Sequence, residues 1–199
     1  MRVATPKETK QMKYVIGIDP GKSGYIVRFY EDGHVHAFPM PIITATTYTT
    51  RDGKKKKHGK DQYDYQAIAR TLACHCIEPK GTIIRPHADL VYAVCERQST
   101  RPGQSVVSAR SSGEAEAIWR SMFFAFGIRH EIATPQTWQN SQHRGQPGSD
   151  PKQRSILAAG QFFPEVNLVP PGCRKPHDGL ADALLIARYG GSVYWGDKQ

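Results

Sequence analysis

Short apolar runs separated by turn residues dominate the first half of the chain. Tyr14 to Ile18 is continuously apolar and stops at Asp19-Pro20-Gly21, the pattern of a buried strand ended by a turn, which leaves Asp19 at the strand's carboxyl end. Gly24 to Tyr30 and Val35 to Met40 are β-rich and flank Glu31-Asp32-Gly33-His34, so the opening reads as a three-strand antiparallel meander. Pro41 to Lys60 is rich in Thr and then basic, and reads as a loop tipped by Lys54-Lys55-Lys56-Lys57-His58-Gly59-Lys60. Tyr65, Ile68, Ala69, Leu72 and Cys76 recur at helical spacing, with Pro79 and Gly81 as the stop.

The second half alternates strand and helix. Leu90 to Cys95 is too short for a buried helix, suits a central parallel strand, and delivers Glu96 at its end. Ser99 to Gly113 is rich in Gly, Ser and Arg, and a helix is expected from about Glu114 to Phe126, closed by Gly127. Ile128 to Ala133 reads as a strand, Thr134-Pro135 as a helix start, Asn140 to Ser149 as a flexible loop, and Asp150-Pro151 as the start of a helix towards Phe163. The last helix is expected over Asp178 to Tyr189, with Asp178 at or near its N-cap and Gly190-Gly191 as its stop. A meander followed by alternating helices and strands predicts an α/β fold with a mixed central sheet, because parallel strands need helical crossovers. The expected layout is a polar leader over 1–13, one domain over 14–191 and a tail over 192–199, with no internal repeat.

Composition narrows the partners. Twenty-seven Lys and Arg against 18 Asp and Glu give a net charge of +9, which favours a polyanion through phosphate contacts and counterion release. No run approaches the ~20 apolar residues needed to span a bilayer, and Met1 to Lys13 lacks the apolar stretch of a signal peptide, so a cytosolic location is expected. Cys74, Cys76, Cys95 and Cys173 are read as reduced thiols. A zinc site from Cys74, Cys76, His75 and His87 is the alternative, although C-x-C departs from the usual ligand spacing.

Four acidic positions share one logic. Asp19 and Glu96 end buried strands, and Asp178 and Asp182 lie one turn apart on one helix face. Ligands of open α/β sheets gather beyond strand carboxyl ends, so the four carboxylates converge if that helix crosses the sheet edge. Like charges packed together raise one another's pKa, and a hard divalent cation relieves the conflict. Each residue has a plainer reading: Asp19 as a turn former, Asp178 as a cap. Asp182, inside Leu180-Ala181-Asp182-Ala183-Leu184-Leu185-Ile186-Ala187, is hard to explain that way, because an unpaired buried carboxylate is unfavourable.

Ile16-Gly17-Ile18-Asp19-Pro20-Gly21, Val94-Cys95-Glu96-Arg97-Gln98 and His177-Asp178-Gly179-Leu180-Ala181-Asp182-Ala183-Leu184-Leu185-Ile186-Ala187 occur in an order that resembles the RuvC family of Holliday junction resolvases, especially its phage-encoded members. The resemblance spans roughly Tyr14 to Gly191. It implies an RNase H-like fold, a homodimer, Mg²⁺ or Mn²⁺ as cofactor, and paired nicks in branched DNA. Asp19, Glu96 and Asp182 match the family's metal ligands, with Asp178 as the fourth. Many relatives carry that fourth ligand three residues before the last aspartate, where this chain has Gly179; Asp178 stands four before and His177 five.

Several basic and polar residues are candidates for DNA contact. Lys54, Lys55, Lys56 and Lys57 could follow phosphates or be a solvated loop tip. Arg97, Gln98, Arg101, Gln104 and Arg110 lie on the segment leaving Glu96, which in relatives reaches the junction's crossover point. Lys152 and Arg154 open a helix where cations oppose the dipole, which suggests phosphate binding. Trp119, Met122, Phe123 and Trp138 read as core or, for the first three, a dimer interface. Two rival functions stay open: another RNase H-like nuclease acting on flaps, duplex or RNA, and a junction-binding protein without catalysis.

Overall fold

The five residues of Tyr14–Ile18 (β1) are all buried, as a strand covered on both faces must be. β1 pairs antiparallel with Tyr25–Tyr30 (β2), which pairs antiparallel with Val35–Pro39 (β3). On its other edge β1 runs parallel to Val91–Glu96 (β6), and β6 runs parallel to Arg129–Ala133 (β7). The result is one mixed sheet in the order β3-β2-β1-β6-β7, in a computed structural model describing residues 13–51, 54–73, 90–100 and 102–196. The expected meander and parallel strands are both present.

Helices cover both faces. Tyr65–Ala73 (α1) and Val106–Phe126 (α2) pack on one side through Ile68, Leu72, Trp119 and Phe123. Pro135–Gln142 (α3), Pro151–Phe162 (α4) and Asp178–Trp195 (α5) pack on the other through Trp138, Ala158, Ala159 and the apolar face of α5. α5 lies directly on the sheet: a Cβ on Gly17 would stand 2.5 Å from Ala183 O and closer still to Ala187 N, and one on Gly190 would stand 2.6 Å from Val15 Cγ1.

Four sequence expectations are corrected. Pro41 to Lys60 is not a loop: Ile42–Arg51 (β4) and Lys54–Tyr63 (β5) form a separate two-stranded antiparallel ribbon in register Ile42 to Tyr63 through Arg51 to Lys54. The β-branched run Ile42-Ile43-Thr44 and Thr46-Thr47, with Tyr48-Thr49-Thr50, favours extended chain, and Asp52-Gly53 is a hairpin signature that the lysine run obscured. The second correction is to α2, which starts at Val106 rather than Glu114, because the Ser105 hydroxyl accepts the Ser108 amide as an N-cap. Arg110 is therefore helical.

Thirdly, the flexible loop expected from Asn140 to Ser149 begins as the last turn of α3 and contains buried Gln142 and His143. Finally, α5 passes through Gly190-Gly191 to Trp195, so residues 192–195 of the expected tail are helix. Those glycines permit close packing rather than termination, and the added turn places Tyr194 on Tyr92 and Trp195 against Phe29. His177 caps this helix, and Asp178, expected at or near the cap, is its first residue. The continuation towards Cys76, the Cys74/Cys76/His75/His87 cluster and Arg101 lie outside the described residues.

Candidate metal centre at the sheet edge

β1 ends at Ile18 and β6 at Glu96, side by side and parallel, so Asp19 and Glu96 leave the same sheet edge. α5 begins at that edge and brings Asp182 to it one turn in. All three side chains are partly buried. Burial pushes Glu96 up to about 8, and the negative charges of Asp19 and Asp182 add to the rise. Burial likewise lifts Asp182 to about 7, opposed by the Ser155 hydroxyl and reinforced by Asp19 and Asp178. Asp19 is raised by burial too, partly offset by the Gly21 amide that its Oδ1 accepts at 3.1 Å. The three carboxyl groups therefore share one field rather than facing separate surfaces.

Local packing fixes them. A Cβ on Gly24 would stand 2.8 Å from Asp19 Cγ, and one on Gly179 would stand 2.8 Å from Asp19 Oδ2 and 2.9 Å from Ser23 O. Glycine at 179 thus lets the first turn of α5 close onto Asp19, in the place where the family pattern puts a ligand side chain. Asp178 accepts the Gly179 amide with Oδ1 and forms an ion pair with Lys152 through Oδ2. That lysine holds the Asp178 carboxyl below its usual range. His177 Nδ1 accepts the Leu180 amide, and its ring meets Tyr25 edge-on. Lys152, expected on phosphate, pairs with the candidate fourth ligand.

Three neighbours were missed or misread in the sequence. Ser155, buried on α4, hydrogen-bonds His143 Nε2 at 2.9 Å and supports the ionised form of Asp182. Trp138 was expected as core, which it is, yet its indole N–H stands near enough to Glu96 to favour ionisation without a well-directed hydrogen bond. Tyr63, at the root of the ribbon, donates its hydroxyl to Pro20 O at 3.0 Å. Nothing in the sequence ties Ser155 or Tyr63 to the site, since both contacts span elements distant along the chain.

The remaining candidates spread outward. Arg97 is exposed and its amide bonds Ala133 O; the Gln98 amide bonds Glu116 Oε2; Gln104 Nε2 bonds Ser108 Oγ; Arg110 is exposed on α2. Lys54 to Lys57 lie on β5. Cys95 is buried beneath the acidic edge and Cys173 is exposed, both as free thiols.

Carboxylate oxygens are the kind of donor that a hard cation takes. Asp182 Oδ1 is buried with no hydrogen-bond partner among the described residues, a state that a buried polar atom rarely keeps without a proton, a water or an ion to meet it. Among the described residues no group of three or more Asp, Glu, His or Cys side chains is placed so that it could hold a metal ion as it stands. Mg²⁺ is commonly held by one or two carboxylates, with water and substrate phosphate completing its shell.

Comparison with solved structures bears on the architecture. Thermus thermophilus RuvC in complex with Holliday junction substrate superposes with a TM-score of 0.50 at 16% identity, covering 92% of this chain and 95% of that one. The chain has the fold of RuvC. Its mixed five-strand sheet with helices on both faces is the RNase H-like arrangement of RuvC. A second Thermus thermophilus RuvC structure gives 0.45 at 16% identity over 92% and 94% of the two chains, and yeast mitochondrial Holliday junction resolvase Ydc2 gives 0.47 at 16% over 92% and 79%. No family model and no curated protein matches by sequence. No helix of the described residues is long and apolar enough to cross a membrane.

Proposed function

We propose that the chain is a divalent-metal-dependent endonuclease that cuts branched DNA, with the four-way junction as its preferred substrate. What supports this reading is that Glu96 and Asp182 both feel the negative charge of Asp19, at the carboxyl end of a RuvC-like sheet, in a chain of net charge +9. Acidic ligands in a basic protein make sense when the substrate is a polyanion that a cation must bridge. Asp19, Glu96 and Asp182 would hold Mg²⁺ or Mn²⁺, with Asp178 as the fourth ligand. Bound there, the ion supplies Lewis acidity at the scissile phosphate and a water acidic enough to attack it.

The protein's own groups prepare that site. Without a cation, burial and neighbouring negative charges favour the protonated forms of Glu96 and Asp182, whose pKa values are raised to about 8 and about 7. Lys152 holds Asp178 ionised and turned towards α4. Ser155 steadies Asp182, and burial of all three carboxyl groups limits the water that competes for them. Lys54 to Lys57 on the ribbon, and Arg97, Gln98, Gln104 and Arg110 beyond β6, would carry the DNA backbone, with Arg101 in the same segment. A homodimer would present two such sites to the two opposed strands of a junction.

Cleavage of a synthetic four-way junction with Mg²⁺ tests this directly. Asp19→Asn and Asp182→Asn are expected to abolish nicking while junction binding in EDTA stays within a few-fold of the parent. Unchanged nicking by either variant removes the site, binding without any cutting by the parent reduces the protein to a junction binder, and equal cutting of linear duplex or flaps removes the junction preference.

A further inference from the structure

α3 starts at Pro135, two residues beyond Ala133, the strand partner of Glu96. α4 carries Ser155 towards Asp182 and Arg154 beside it. Between these helices lies a cavity of about 550 Å³ lined by Gln136, Gln139, Asn140, His143, Arg144 and Arg154. A volume in that range is ordinary for a small-molecule pocket.

Its chemistry is one-sided. No acidic residue lines it, whereas two guanidinium groups do. Arg154 Nε is buried with no hydrogen-bond partner among the described residues, and His143, only 5% exposed, leaves Nδ1 equally unmet while Nε2 bonds Ser155. An unsatisfied buried donor is unfavourable, so Arg154 Nε asks for a ligand with an acceptor, while His143 Nδ1 donates or accepts according to its tautomer. Three carboxamides on one helix add paired donors and acceptors, the groups that read base edges. Guanidinium groups for a phosphate and carboxamides for a base, side by side, are complementary to a nucleotide unit.

We propose that this cavity binds one nucleotide of the DNA strand next to the scissile position, its phosphate on Arg144 and Arg154 and its base against Gln136, Gln139 and Asn140. The inference rests on the nuclease reading for its choice of DNA, and it adds a subsite outside the acidic edge. His143 joins the two, since it lines the cavity and bonds the serine that supports Asp182. Occupancy of the pocket would thereby register the strand against the carboxylates.

The test uses the full chain and two probes. Junction binding is measured by fluorescence anisotropy in EDTA across a salt series, for the parent, Arg144→Ala, Gln139→Ala and the exposed Arg70→Ala on the opposite sheet face. Arg144→Ala is expected to bind roughly tenfold more weakly and to lower the salt slope by about one, Gln139→Ala to weaken binding without changing the slope, and Arg70→Ala to change neither. Deoxynucleoside 5′-monophosphates, titrated against ¹⁵N-labelled protein, should shift amides over 136–144 and at 154, and inorganic phosphate should reproduce only part of that pattern. Parent-like affinity and slope in Arg144→Ala and Gln139→Ala, with the parent cutting junctions normally, overturns the pocket and leaves the nuclease reading intact. Identical shifts from phosphate and mononucleotide overturn the base-binding half. Mononucleotide shifts in a protein that neither binds nor cuts junctions keep the pocket and remove the nuclease reading.

Discussion

Replacing Glu96 by Gln should stabilise the ion-free protein at alkaline pH while it destroys cleavage. In the unfolded chain this carboxyl titrates near 4.5, and in the folded protein it holds its proton until about 8, chiefly because it is buried and secondarily because Asp19 and Asp182 are close. Between those values the folded state binds more protons than the unfolded one, so stability falls as pH rises through the window and stays low above it. At about 1.4 kcal/mol per tenfold change in acidity, the rise from 4.5 to about 8 corresponds to as much as about 5 kcal/mol, and about 3 kcal/mol after allowing for the part of the side chain that water reaches. Gln has no such titration. In thermal melts in EDTA, the parent should lose stability between pH 5 and 8.5 relative to Glu96→Gln by a difference of roughly 6–12 °C in a chain of this size. Adding Mg²⁺ at pH 8.5 should recover much of the parent's deficit and little of the variant's, because a ligand that binds only the folded, ionised site stabilises it by mass action. Superimposable pH profiles for the two proteins would refute the claim that Glu96 is buried among like charges.

Three further substitutions probe the supports of the site. Gly17→Ala drives a Cβ into the α5 backbone at Ala183 and Ala187, which cannot yield as a side chain would, and should destabilise the protein by about 3 kcal/mol or more in urea melts. Gly179→Ala puts a methyl 2.8 Å from Asp19 Oδ2 and should lower kcat for junction nicking at least tenfold with a smaller loss of stability; a parent-like rate shows that Asp19 needs no such close seat. Lys152→Ala removes the group that keeps Asp178 ionised, so the Asp178 carboxyl should titrate higher by NMR and the Mg²⁺ dependence of cleavage should shift at low pH, where protons then compete for that oxygen.

Much of the sheet was legible because its signals are local. Buried strands such as β1 and β6 are continuous apolar runs with a carboxylate at the end, and the turn residues between β2 and β3 mark a hairpin. Caps were legible for the same reason at Thr134 and Asp150, where the side chains do accept the Thr137 and Lys152 amides. What failed depended on partners remote in sequence. Lysines are poor strand formers, so β5 exists through its ten-residue pairing with β4 and not through its own composition. Gly190 and Gly191 look like a stop until Val15, Val94 and Phe29 are seen against them. Within the candidate site, the three carboxylates could be proposed from strand ends and helical spacing, but Ser155, the Lys152 ion pair and the nucleotide cavity could not. Each is built where α3, α4 and α5 meet, and no periodicity along one helix reports its neighbours.

The close seat of α5 on β1 has one more consequence. Asp182 is the residue immediately before Ala183, whose carbonyl rests against Gly17, so the carboxylate is mounted beside a close backbone-to-backbone contact. Its coordinates are inherited from backbone-to-backbone packing rather than from a loop that could adapt. Any drift in core volume beneath the helix would be transmitted to that oxygen by rigid translation, so interior substitutions far from the acidic edge should change turnover before they unfold the chain.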